Sequence, residues 1–367
     1  MDVTNWDLTD RKAIGFPVLY PWMITSYSDG LAIFERNPYY FKIDPEGNQL
    51  PYIDTLESRL VEDQEMVTLE TIAGNLDFSR ENGALNNMPI YRENEENGGY
   101  RAVLMNMHND PTNLHLNLTY DNDTWKEVAN DVRFRKALNM AIDREEIIEA
   151  IYYGFAEPST IIDVSYDPEE ANRLLDEMGM EIGSDGYRQA PNGESFRIDI
   201  EIADHSPDFI PVTELYMEYW QALDLNITMK LIDIGLWDTR NQANELMATM
   251  MWTHTPLWHN PDWDGHWGRE WSEWKNSTGT KGEEPPEDVK RIHHLLDQLF
   301  VVPVEEAVDI DNQIRAEMNE HFWFISPLEN VKQPLIVNAK LGNIPEEDSG
   351  AMAIAVNFSG EQLFYRE

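Results

Sequence analysis

The chain has 367 residues, 42% of them hydrophobic and 11% aromatic, which is enough for two or three domains with buried cores. Its net charge of −41, from 68 acidic and 27 basic residues, would repel the phosphates of nucleic acid and an anionic membrane surface. Cysteine is absent, which excludes disulfides and thiol nucleophiles.

Residues 13–120 alternate apolar and polar side chains in short runs, as strands do. Segments 14–27 and 31–35 flank the turn-forming Asp29 and Gly30, which predicts a hairpin. A short helix that ends at Gly74 is predicted after it. Further strands are predicted at 56–61, 76–78 and 100–107.

Helical patterns begin after residue 121. One long amphipathic helix is predicted between Asp131, a candidate N-cap, and Gly154, a candidate terminator. A second helix begins at Asp167 and Pro168 and ends at Gly179. Later helices are predicted at 286–300 and 304–322, and a later strand at 335–338.

Between these helical regions, strands and helices alternate. Isoleucines and charged residues alternate over 196–202, as in a half-buried strand. The elements that follow are a helix at 209–223, a strand at 226–234, a helix at 236–244 and a strand at 246–252. This order predicts right-handed crossovers and a parallel sheet. Ligands of such sheets bind beyond the carboxyl ends of the strands, where Trp252 would lie.

Residues 252–274 hold six of the chain's 12 tryptophans, with carboxylates and imidazoles between them. Flat aromatic faces provide contact area at low entropic cost, and polar groups fix orientation, which favours a sugar or a peptide as ligand. The predicted ligand-binding residues are Trp252, His254, Trp258, Asp262, Trp263, Trp267 and Trp271. The alternative interpretation of the same segment is a tryptophan-rich lid over a core.

Catalytic chemistry has weaker support in the sequence. His254, His259 and His266 do not have the spacing of a metal site, so no metal is expected. An acid pair such as Glu270 and Glu273 would suit a glycoside hydrolase, although close pairs arise by chance among 68 acidic residues. Nucleophile and phosphate-binding motifs are absent, so we expect a binding protein without cofactor and keep a secreted carbohydrate hydrolase as the alternative.

Residues 35–54, which read ERNPYYFKIDPEGNQLPYID, strongly resemble a segment of the family 5 extracellular solute-binding proteins. These are the large substrate-binding subunits of ABC importers for oligopeptides, oligosaccharides and related solutes. Five more stretches resemble the family in the same order along the chain. They are 13–20, 61–63 with 73–78, 132–147, 166–179, and 271–274 with 282–286. The resemblance as a whole covers roughly residues 13–345.

The resemblance implies an α/β fold of the periplasmic-binding-protein type, class II, with two lobes joined by a hinge. Lobe I would comprise 1–110, completed by 331–367, and lobe II would comprise 111–330 with the ligand-binding loop 252–274. The predicted hinge crossings are at 108–118 and 326–333. Longer members carry a leader and further segments before the part seen here, and the chain is expected to begin after them.

The resemblance also implies a function. The protein would be a monomer that captures a sugar or peptide between its lobes, without altering it, and delivers it to ABC permease subunits. Peptide-binding relatives place an acid for the ligand's amino terminus near the position of Asp262, which is equally suited to accept a sugar hydroxyl. A periplasmic or extracellular location is expected, with membrane association in the full-length form.

Overall fold

The computed structural model divides the chain into two compact units. Unit 1 comprises 1–106 and 333–367, and unit 2 comprises 107–332. The residues that the structure describes are 13–61, 63–79, 84–106, 110–163, 165–203, 206, 208–253, 265–299, 301–325, 327–347 and 360–366. The predicted lobe boundaries were after residues 110 and 330, and that the units move as hinged lobes stays a prediction.

Both units contain strands and helices. The strands are β1 Trp22–Ser28, β2 Leu31–Arg36, β3 Thr55–Arg59, β4 Phe78–Ser79, β5 Tyr100–Asn106, β6 Asp110–Leu116, β7 Glu157–Pro158, β8 Ile198–Ala203, β9 Ile227–Ile232, β10 Ala248–Thr253, β11 Phe324–Ile325, β12 Leu328–Glu329, β13 Lys332–Asn338, β14 Leu341–Gly342 and β15 Phe364–Tyr365. The helices are α1 Gln64–Ile72, α2 Met88–Glu93, α3 Glu95–Gly98, α4 Asp123–Ala129, α5 Val132–Met140, α6 Arg144–Ala150, α7 Pro168–Glu177, α8 Phe209–Gln221, α9 Ile234–Gln242, α10 Arg269–Asn276, α11 Glu287–Leu299 and α12 Val304–His321.

Unit 1 contains two three-stranded sheets, ordered β1-β2-β3 and β4-β13-β5. The predicted hairpin is confirmed as β1 and β2, which pair antiparallel. Asp29 and Gly30 both have positive φ, as a tight hairpin turn requires. The second sheet buries one cluster around Met105 and Val337 and another around Leu104 and Tyr91.

Unit 2 is built around a five-stranded sheet with the order β11-β6-β10-β8-β9. Strands β8, β9 and β10 are parallel, which confirms the predicted strand-helix alternation. Strand β6 pairs antiparallel with β10, and β11 pairs antiparallel with β6. The isoleucines of β8 are fully buried, so their period-2 alternation located this strand correctly.

Helices cover both faces of this sheet. On one face, Tyr216 of α8 donates its hydroxyl to the backbone oxygen of Thr112 at 3.2 Å. On the other face, the indole of Trp237 in α9 donates to the hydroxyl of Thr249 at 2.7 Å. These bonds satisfy polar groups that would otherwise be buried without a partner.

The structure corrects one sequence prediction in unit 2. The single helix predicted between Asp131 and Gly154 is two helices, α5 and α6. Asp143 interrupts it, because its carboxylate accepts the backbone N–H of Glu146 and so caps α6. The segment 108–118, near which a hinge crossing is predicted, includes β6, which lies in the sheet of unit 2 between β10 and β11. A hinge near this segment stays a prediction.

Candidate functional site

The carboxyl ends of the parallel strands define one edge of the sheet in unit 2, which we call the carboxyl edge. Strands β8, β9 and β10 end there, and β6 begins there because it runs antiparallel to β10. The edge where β10 begins and β6 ends is the amino edge. Open α/β sheets bind ligands at the carboxyl edge. Its side chains are therefore the first candidates for a site.

Asn113 is an unusual residue near this edge. It lies on β6 opposite Met251, two residues before β10 ends. Its side chain has no solvent exposure, and neither its amide nitrogen nor its amide oxygen has a hydrogen-bond partner. Each buried polar group without a hydrogen-bond partner lowers the free energy of unfolding by about 1–3 kcal/mol, so a buried asparagine with both polar atoms unpaired is a candidate for a functional role.

The neighbours of Asn113 on the same face are polar but uncharged. His115 lies opposite Thr249 on β10. Its ring centroid is 5.3 Å from those of both Phe324 and His266. Burial, and then the neighbouring His266, hold the pKa of His115 well below its ordinary value, so this imidazole is neutral near pH 7. The Thr249 hydroxyl donates to a backbone oxygen at 2.7 Å.

A second polar cluster lies on the opposite face near the same edge. Asp208 precedes α8 and accepts hydrogen bonds from the hydroxyls of Ser206 and Tyr152, the latter at 2.7 Å. Burial raises the pKa of Asp208 above its ordinary value, against the opposing effect of these two donors. Burial also raises the pKa of Tyr152. Buried acids with perturbed pKa values concentrate at functional sites.

Among the predicted ligand-binding tryptophans that the structure describes, Trp252 lies at the carboxyl edge. It is the penultimate residue of β10 and is partly buried. It packs against an apolar cluster that includes Met251 and Trp237. Its contact with a ligand stays a prediction. The predicted residues His254, Trp258, Asp262 and Trp263 lie outside the described residues.

Trp267 and Trp271 are placed differently from the prediction. The backbone N–H of Leu118, just beyond the end of β6, donates to the oxygen of Trp267 at 2.8 Å, so Trp267 lies at the amino edge. Trp267 has no exposed surface and Trp271 is 7% exposed. Trp323 stacks on Trp267 with ring centroids 5.3 Å apart. Both indoles are buried against other aromatic rings. Their contact with a solute stays a prediction.

The amino edge carries a pocket of about 600 Å³. Its lining comprises Thr119, Tyr120, Asp121, Arg240, Ala243, Asn244, Glu245, Glu270 and Glu283. Glu270 and Glu273, the acid pair considered for a hydrolase, lie on α10 beside this edge, where Glu273 faces Lys281 at 3.8 Å. This is not the edge at which α/β sheets bind their ligands.

A further acidic group lies on α12, away from the predicted site. Glu317, Glu320 and His321 bring three potential ligand atoms within 4.8 Å of one another. Arg291 already binds both carboxylate oxygens of Glu317 at 3.0 Å. The Arg291 guanidinium neutralises the Glu317 carboxylate that a metal ion would need, so we interpret these two residues as an ion pair.

The family profile described as bacterial extracellular solute-binding proteins, family 5 Middle, matches residues 4–271. The chain belongs to family 5 of the extracellular solute-binding proteins. This confirms the family to which the six sequence stretches pointed. One family 5 relative, the periplasmic alpha-galactoside-binding protein of Rhizobium meliloti (strain 1021), is 24% identical over 384 residues, which cover 90% of this chain and 52% of that protein.

Solved structures agree on the fold of this family 5 chain. The oligopeptide-binding protein OppA is 27% identical with a TM-score of 0.62, over 100% of this chain and 66% of that one. The periplasmic binding protein MelB of Agrobacterium fabrum C58, solved with stachyose, is 20% identical with a TM-score of 0.76, over 95% of this chain and 57% of that one. The predicted α/β fold of the periplasmic-binding-protein type is confirmed.

The chain spans about half the length of the curated alpha-galactoside-binding relative. Among the helices of the described residues, none combines the length and the hydropathy that crossing a bilayer requires.

Proposed function

We propose that this family 5 chain is the substrate-binding component of an ABC importer, which captures an oligosaccharide or oligopeptide and delivers it to the permease. The observation that carries the proposal is the family match over residues 4–271. The relatives reported above are named as binding proteins, which supports binding without chemical conversion of the solute. Periplasmic or extracellular location, membrane association in a longer form, a monomeric state and two-lobed closure belong to the same proposal.

The carboxyl edge of unit 2 is the proposed site of capture. Asn113 and Trp252 lie on adjacent strands near this edge and supply a hydrogen-bonding amide and an aromatic ring. An apolar surface with a few placed polar groups is the usual composition of a small-molecule site. Of the other predicted residues, His254, Trp258, Asp262 and Trp263 stay part of the proposal, whereas Trp267 and Trp271 are proposed to support the fold.

A thermal-shift screen of the purified chain tests the function. We expect at least one of two groups, neutral oligosaccharides or peptides of two to five residues, to raise the melting temperature, because a ligand that binds only the folded state stabilises it by mass action. Titration calorimetry on the responding solute then gives its affinity, and product analysis shows whether it is recovered unchanged. Hydrolysis of the bound solute would contradict the proposal, as would the absence of any shift in both groups.

A further inference from the structure

The unpaired amide of Asn113 indicates which kind of solute the protein binds, and not only that it binds one. We propose that the solute is a neutral, hydroxyl-rich oligosaccharide and that Asn113 is the residue that hydrogen-bonds its hydroxyls. This inference rests on the proposed function, since it assigns a substrate class to the same site. It depends on three observations, which concern the unpaired amide, the charge on the adjacent strands and an aromatic residue on the neighbouring strand.

The first observation is that both polar atoms of the Asn113 amide are unpaired, whereas a second buried asparagine of the same segment has partners for both. Asn117, which follows β6, is also buried, but its amide nitrogen donates to Asn244 at 2.7 Å and to the Leu246 oxygen at 2.9 Å. Its amide oxygen accepts from the backbone and hydroxyl of Thr119. The fold therefore satisfies one buried asparagine of this segment completely and leaves both polar atoms of the other unused. Unused donors and acceptors of this kind are available to a ligand.

The second observation is the lack of charge on the two strands nearest to Asn113 on its face of the sheet. On β6 and β10, the described side chains that share this face with Asn113 are His115, Thr249 and Met251. None of them carries a charge while His115 is neutral. On β8, two carboxylates lie on the same face, and both are paired: Asp199 with Arg197 at 2.6 Å and Glu201 with Arg240 at 3.0 Å. Burying an ionised group without a partner is costly, so this face favours a neutral solute over the charged termini of a peptide.

The third observation is the match of groups to a sugar. An asparagine amide presents a donor and an acceptor side by side, and two vicinal hydroxyls present the complementary pair. Trp252, which follows the Met251 paired with Asn113, places an aromatic residue on the neighbouring strand near the same edge of the sheet. Aromatic rings pack against the apolar faces of sugar rings. A neutral oligosaccharide uses both features together, whereas a simple ion uses neither.

The test combines stability and binding in one pair of variants. Asn113→Leu replaces the amide by an apolar group of similar size, and Asn117→Leu is the matched control on the same segment. If the Asn113 amide serves a ligand, Asn113→Leu keeps or raises the melting temperature of the free protein and weakens stachyose binding at least tenfold in titration calorimetry. Asn117→Leu should instead lower the melting temperature, because it removes satisfied hydrogen bonds.

Other outcomes overturn the inference. A loss of stability in Asn113→Leu equal to that of Asn117→Leu, with unchanged stachyose affinity, would show a merely structural asparagine. Asn113→Ala guards against a steric effect of leucine, and it should weaken stachyose binding to a similar extent. If the unmodified protein binds trialanine with free termini but not stachyose or raffinose, the substrate class is wrong while the proposed function stands. If it binds neither sugars nor peptides, the proposed function falls as well.

Discussion

Trp267 separates the two interpretations of the tryptophan-rich segment, because its burial predicts a stability defect and not a binding defect. The indole has no exposed surface, stacks on Trp323 at 5.3 Å and meets the ring of Trp271 edge-on at 6.2 Å. Removing a fully buried tryptophan typically costs about 3–5 kcal/mol in unfolding free energy. For a unit the size of residues 107–332, each kcal/mol shifts the melting temperature by about 2–4 °C, so Trp267→Ala should lower it by about 6–20 °C.

The assay is thermal unfolding followed by circular dichroism, with titration calorimetry of the responding solute well below the lowered melting temperature. Trp267→Phe is the control, since it keeps an aromatic ring in the stack and should lose less stability. Trp252→Ala is the contrasting variant, expected to weaken binding with a smaller stability loss because this residue is only partly buried. If Trp267→Ala left the melting temperature unchanged and weakened binding tenfold, the interpretation of Trp267 as a core residue would be refuted.

Three further predictions follow from other parts of the chain. Burial raises the pKa of Asp208, so the folded state binds the carboxyl proton more tightly than the unfolded state does. The stability that this tighter binding contributes is lost as the pH rises above 3.8, the ordinary pKa of an aspartate. Asp208→Asn should flatten this fall in urea unfolding between pH 4 and 7, and an unchanged slope would contradict it. Gly282→Ala should destabilise the protein more than Gly154→Ala. A Cβ added at position 282 would lie 2.2 Å from the backbone oxygen of Glu270, whereas one at position 154 meets open space and adds only the cost of positive φ, about 1–2 kcal/mol. Equal losses of stability in the two variants would contradict this. Because the protein carries a net charge of −41 at pH 7, added NaCl should screen its self-repulsion and raise its melting temperature at that pH. The effect should be much smaller near the isoelectric point of about 4.3, and equal responses at both pH values would contradict the prediction.

The sequence predicted the parallel strands of unit 2 because their signals are local. The isoleucines of β8 alternate with charged residues, and Asp167, Pro168 and Gly179 mark the bounds of α7 as caps do. The separate helix α6 was missed although its signal was present. Asp143 followed three residues later by Glu146 has the spacing of a capping box, and this sign of a new helix start was overlooked.

The candidate site was harder to predict. Asn113 and His115 alternate with Leu114 and Leu116, a strand pattern that was assigned to a hinge because the resemblance placed a lobe crossing there. The position of Trp267 had no local signal at all. A hydrogen bond from Leu118, far away in sequence, fixes it at the amino edge. Such long-range contacts decide at which edge of the sheet each of the clustered tryptophans lies, and composition carries no information on these contacts.

Hydrogen–deuterium exchange with and without the responding solute tests the location of the site most directly. We predict slower exchange of backbone amides at the start of β6 and the end of β10, where Asn113 and Trp252 lie. Protection confined to the amino-edge pocket around Thr119, Asn244 and Glu270, with β6 and β10 unchanged, would contradict the account.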